Sequence, residues 1–158
     1  MAIVPENWQG PGIFFMESRL ELLDPLLIVK IKGIVPSKRR AYTIKIVQYV
    51  LKQSGFKHEL VNKIEHDLVN GNFVQASRQK GSLESLLEEL EEIQFHQRKE
   101  VNQGQLSFQD YIEAFNHARA VNALFYALDA DSFIALTEAT YEAYTITQDL
   151  NAIKNILT

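Results

Sequence analysis

The sequence contains no cysteine. Disulfides, cysteine-ligated zinc, iron–sulfur clusters and thiol catalysis are therefore excluded. All four prolines lie in the first 36 residues, and the last of the seven glycines is Gly104. A β-sandwich or barrel needs turn residues every ~8 to 12 positions, and the proline-free stretch 37–158 does not supply them. Long apolar runs are missing as well. The longest, such as Leu26 to Val29, are a few residues long, whereas a membrane-spanning helix needs ~20. The first 20 residues have no basic stretch leading into a hydrophobic one, as an export signal would. The expectation is a cytoplasmic protein with no membrane contact.

What is present suits a globular body. The chain has 158 residues, 46% hydrophobic and 23% charged, the size and balance of one hydrophobic core rather than of disorder. The net charge of −4 hides a polarity along the chain. Residues 1–57 carry nine Lys/Arg against four Asp/Glu, whereas 81–158 carry four against thirteen. Such a layout bears on partners and association rather than on fold.

The apolar spacing reads as helix over most of the chain. Residues 1–12, with Pro5, Trp8, Gly10, Pro11 and Gly12, read as an irregular arm whose Trp8 is expected to pack on something. Phe14, Phe15, Leu20, Leu22 and Leu23 suit a short helix that stops before Pro25, because the residue preceding proline avoids the α region. Leu26 to Ile31 alternates like a strand but has no partner strand elsewhere, so a second short helix is the better reading. Ser37 is placed as the N-cap and Gly55 as the C-terminal stop of a helix over Lys38–Ser54. A helix follows from about Lys57 to Asn70, then a short helix or turn over Asn72–Lys80 before a break at Gly81, and a helix capped by Ser82. The last carries Leu83, Leu86, Leu87, Leu90 and Ile93 at i, i+3, i+4, i+7, i+10.

Beyond Gly104, Ser107 opens a helix over Asp110–Leu128 that is apolar almost all round, as in the centre of a bundle. Asp129 or Asp131 caps the next, from Ser132 to about Tyr144; Thr145–Thr147 is expected to interrupt it before helix runs on to the end. The fold expected is all-α: a single-domain bundle of roughly five to seven helices. An irregular arm and short helices over 1–36 pack on a helical body over 37–158.

The most specific constellation lies after Pro36. Lys38, Tyr42, Lys45, Tyr49 and Lys52 recur at spacings that confine them to a stripe roughly 80° wide on a helix of ~100° per residue, and Arg39 and Arg40 flank its start. No acidic residue interrupts Lys30–Lys57. Lysines that grip phosphates, with tyrosines that stack, are what single-stranded nucleic acid requires. The alternative is a solvated lysine face with tyrosines at the core boundary. That alternative is favoured by the acidic balance of the whole chain. A helix-turn-helix around Gly55 is argued against by Glu59, Glu65 and Asp67 on its second helix, which would repel the DNA backbone.

Glu84, Glu88, Glu91 and Glu92 form an acidic face. It reads as a solvated surface or as the contact for a basic partner, opposite in sign to the lysine stripe. Glu113 and His117 are i, i+4 neighbours and are expected to form a buried polar cluster. The four histidines match neither Glu-x-x-His pairs nor His-Glu-x-x-His, and no phosphate-binding glycine loop or nucleophile elbow is present. No metal, cofactor or catalytic residue is assigned. The function expected is a non-enzymatic helical protein-interaction module: a small regulator, adaptor or accessory subunit. Its partner is a protein, with a homodimer the first candidate. Binding of nucleic acid or a phosphorylated ligand through the Lys/Tyr stripe is the second reading.

Overall fold

A computed structural model describes residues 18–158. The expectations placed on residues 1–17, including the arm and the packing of Trp8, lie outside the described residues. Among those described there is no strand, and nine helices follow one another: α1 (Leu20–Leu23), α2 (Pro25–Lys32), α3 (Pro36–Ser54), α4 (Glu59–Val69), α5 (Phe73–Ser77), α6 (Lys80–Asn102), α7 (Phe108–Ala127), α8 (Ser132–Thr147) and α9 (Leu150–Ile156). The number exceeds the five to seven expected because α1, α5 and α9, each only one or two turns long, stand as separate helices.

Local chemistry explains most of the boundaries. Asp24 caps α2 by accepting from the Leu27 N–H at 3.1 Å, and Pro25 occupies the first helical position, where its missing N–H costs nothing. The alternating run after Asp24 is thus helix, as the absence of a partner strand suggested. Pro36 opens α3 in the same way, and Ser37 is inside that helix rather than capping it. Gly55 closes α3 in the left-handed region at φ +68°, donating its N–H to the Leu51 carbonyl. There a side chain would be strained.

Gly81 does not break the chain. It lies in the first turn of α6, which starts at Lys80, so Ser82 is a helical residue and not the cap. The penalty of a glycine is the backbone entropy lost in the middle of a helix, and at the second helical residue it costs less. Ser107 and Asp131 cap α7 and α8 through side-chain oxygens. Thr145–Thr147 does not interrupt α8: Thr145 and Thr147 return their hydroxyl protons to the Glu142 and Ala143 carbonyls. The helix ends one residue later at Gln148, at φ +50°.

The buried residues of all nine helices join in one connected core. α7 is central, packed against α3, α6 and α8, while α3 and α8 also pack on each other. Alanines make this proximity feasible: Ala118, Ala120 and Ala123 on α7 and Ala135, Ala139 and Ala143 on α8 are fully buried. α6 leans chiefly on α7. Its leucine stripe is therefore covered at Leu83, Leu86 and Leu87 but open at Ile93, which is 42% exposed. Among the described residues no helix is long and apolar enough to cross a membrane.

Candidate functional site

The lysine stripe on α3 divides into two kinds of residue. Lys38, Lys45 and Lys52 are exposed, and among the described residues no carboxylate pairs with any of them. Tyr42 and Tyr49 are half-buried and rest against the core, and the Lys45 ammonium sits 5.7 Å from the Tyr42 ring centre. Lys30 and Lys38 line a shallow groove of about 300 Å³ together with Tyr42.

Arg39 and Arg40 turn the other way and serve the fold. Arg39 donates to the carbonyls of Ile31 at 3.1 Å and Lys32 at 2.9 Å, the open end of α2, and to Ser132 Oγ at 3.3 Å. Arg40 lies over the Phe73 ring at 4.3 Å and donates to the carbonyls of Ala127, Asp129 and Ala130. A helix leaves its last carbonyls unpartnered, and a guanidinium with five fixed donors can satisfy several at once. Burial lowers the pKa of Arg40 from its ordinary value, against a smaller upward pull from Asp129 and Asp131. The two arginines thus clamp the ends of α2 and α7 and are not free to join a ligand-binding stripe.

Glu84, Glu88, Glu91 and Glu92 are all exposed on α6. At ~100° per residue Phe95 falls in the same arc, and it is 56% exposed among them, with the Lys99 ammonium 4.6 Å from its ring centre. Glu91 meets Arg119 at 3.0 Å and Glu92 approaches His96 at 3.8 Å, whereas Glu84 and Glu88 have no ion-pair partner among the described residues. No ion pair joins this face to the lysine face among the described residues.

The expected buried cluster of Glu113 and His117 is not buried. The two groups are 3.9 Å apart, but the Glu113 side chain is 67% exposed. His117 is the more covered of the two, with the Phe56 ring of the α3–α4 loop 4.8 Å from its imidazole. Partial burial lowers the His117 pKa, and the Glu113 charge opposes that shift.

The buried polar cluster is one turn further along α7 and is built around Glu142 of α8, whose side chain is fully buried. Glu142 accepts from Arg19 at 2.6 Å, from Asn122 Nδ2 at 3.1 Å and from Arg119 at 3.4 Å. Arg19 also donates twice to Glu138, at 2.8 and 3.0 Å, and Ser18 donates to the same carboxylate at 3.2 Å. The Arg19 guanidinium packs 4.3 Å from the Tyr141 ring centre and 5.7 Å from that of Tyr126. Its charged form is favoured by Glu142 and Glu138, while burial pulls the other way; the net is a raised pKa.

A signal for this cluster does exist in the sequence. Asn122 interrupts an apolar helix, and Glu138 and Glu142 are i, i+4 on another, where burial demands cationic partners. Nothing local, however, ties Arg19 to residues about 120 positions away.

In chemical terms the described residues offer two charged faces of opposite sign, one ion network centred on the buried Glu142 and no set of three metal-ligating side chains. No protein-family model, no curated protein and no solved structure matches the chain.

Proposed function

We propose that this chain is a non-enzymatic helical interaction module, a small regulator, adaptor or accessory subunit. It assembles with a second copy of itself by laying the lysine face of α3 on the glutamate face of α6. One observation carries the reading. Lys38, Lys45 and Lys52 on one helix, and Glu84 and Glu88 on another, are exposed and without an ion partner among the described residues. Each copy offers both faces, so a two-fold dimer would use the same contact twice.

Exposed ion pairs contribute only about 0 to 1 kcal/mol each, and aromatic groups must supply the rest. Tyr42 and Tyr49 lie between the lysines, and Phe95 lies among the glutamates; such rings are frequent interface anchors. The connected core supports a single-domain body for the module.

The test is the oligomeric state by light scattering at tens of micromolar. We expect a dimer at low salt that dissociates towards molar salt. Lys45→Glu with Lys52→Glu should give a monomer, Glu84→Lys with Glu88→Lys likewise, and an equimolar mixture of the two variants should associate again. A monomer at low salt, or salt-independent association, overturns the reading.

A second reading, binding of nucleic acid or a phosphorylated ligand, is supported by the carboxylate-free groove that holds Lys30, Lys38 and Tyr42. It predicts that an oligonucleotide shifts at low salt with the wild-type chain and not with the lysine variant.

A further inference from the structure

Where α6 runs past Leu90, it and the first turns of α7 part to leave an open cleft of about 380 Å³. The apolar part of its lining is Leu90, Ile93, Leu106 and Ala114. Its polar part is rich in acceptors. Gln97 lines it, and the Gln97 Oε1 atom is buried without a hydrogen-bond partner. Asp110 and Glu113 line it from α7; Asp110 spends Oδ2 on the Ser107 hydroxyl at 2.8 Å, which leaves Oδ1 for another donor. His117 closes one side, backed by the Phe56 ring. No lysine or arginine lines the cleft, so its lining carries two negative charges and an orphaned acceptor beside a greasy wall.

We infer that this cleft binds a primary aliphatic ammonium group, with the methylene stem on Leu90, Ile93 and Leu106 and the nitrogen among Gln97, Asp110 and Glu113. Three separate acceptors contributed by two helices suit the three rotatable donors of an ammonium better than a planar guanidinium. A donor inside the cleft relieves the desolvation that an unpaired buried acceptor suffers. A bare divalent cation is a poorer match, since no three ligating side chains converge among the described residues. The proposal stands apart from the self-assembly proposed above, because none of its acceptors belongs to either charged face. The ammonium has two natural sources, a free aliphatic amine and the lysine side chain of another protein.

The experiment is an NMR titration of the ¹⁵N-labelled chain with butylammonium at constant ionic strength, with butyrate and butanol as controls. We expect saturable shifts at the Gln97 side-chain amide and along residues 106–117 in the millimolar range with butylammonium alone. Glu113→Gln should weaken binding about threefold or more, and Ala114→Leu, which fills the cleft, should abolish it. Glu113 is solvent-exposed, so its variant should leave the fold unchanged and report on the site. Tighter binding of 1,4-diaminobutane than of an Nα-acetyl-lysine amide assigns a free amine, and the reverse order assigns a lysine side chain; either supports the site. No saturable shift, equal shifts with butanol or butyrate, or undiminished binding by both variants overturns it.

Discussion

The carboxylate of Glu142, fully buried on α8, accepts from Arg19 at 2.6 Å across 123 positions of sequence. With Glu138, Arg119 and Asn122 it forms a polar seam in which α7, α8 and the segment before α1 are held together.

Arg19→Ala should therefore act well beyond the small helix that follows it. Removing one partner of a buried ion pair commonly costs about 3 to 5 kcal/mol. Here Arg119 and Asn122 still satisfy Glu142, so we expect about 2 to 3 kcal/mol in urea denaturation. In a double-mutant cycle with Glu142→Ala the two losses should not add, because both remove the same contact. Additive losses would mean that the contact contributes nothing.

Neighbouring cations on α3 should respond differently to truncation. Arg40→Ala strands three carbonyls at the end of α7 and uncovers Phe73, and should cost about 2 to 3 kcal/mol. Arg40→Lys should recover little, since one ammonium cannot span those carbonyls and lie on the ring. Lys45→Ala should stay within about 0.5 kcal/mol of wild type. Equal effects at Arg40 and Lys45 in thermal or urea melts would contradict the division of the stripe into fold-serving and exposed members.

His117 should titrate below the ordinary histidine range, because burial penalises the imidazolium. The native state then binds fewer protons than the unfolded chain as pH falls through about 6.5. Stability should accordingly drop with acidification over that window, down to the lowered native pKa. Glu113 is the group that pulls the other way, so Glu113→Gln should move the NMR titration midpoint of His117 further down. An upward move would show that Glu113 does not act on the ring.

Ala139 is fully buried on α8 in the region that packs against α3 and α7. Ala139→Leu should overpack that contact and cost about 1 to 3 kcal/mol, a fall of several degrees in melting temperature for a chain of this length. An unchanged melting temperature would mean that the helices have room to separate.

Much of the helical layout was legible, and for nameable reasons. The 3.6-residue spacing of Leu83, Leu86 and Leu87, the oxygen caps at Ser107 and Asp131, and the left-handed stop at Gly55 are local features that act through their own backbone neighbours. The departures are local too. Gly81 sits in a first turn where a glycine is tolerated, and the Thr145–Thr147 run stays helical because its hydroxyls bond back to α8 carbonyls. Site residues were less legible. Arg39 and Arg40 looked like members of a cationic stripe, but an arginine's role depends on which carbonyls lie within reach. Glu113 and His117 looked buried because the all-apolar α7 was assumed to be covered along its whole length.

By itself, then, the sequence determined that this chain is all-α, where most of its helices start and stop, and how its charge is distributed from basic front to acidic back. Periodicity, capping and composition act over a few residues, and those interactions can be read in order along the chain. The tertiary structure alone decided which charges are paired, as at Arg19 and Glu142, and which remain open, as at Lys45 and Glu88. It also decided that α6 outruns its cover and leaves a cleft beside α7. Burial and pairing depend on which helix lies against which, and residues more than a hundred positions apart meet only once the core has closed.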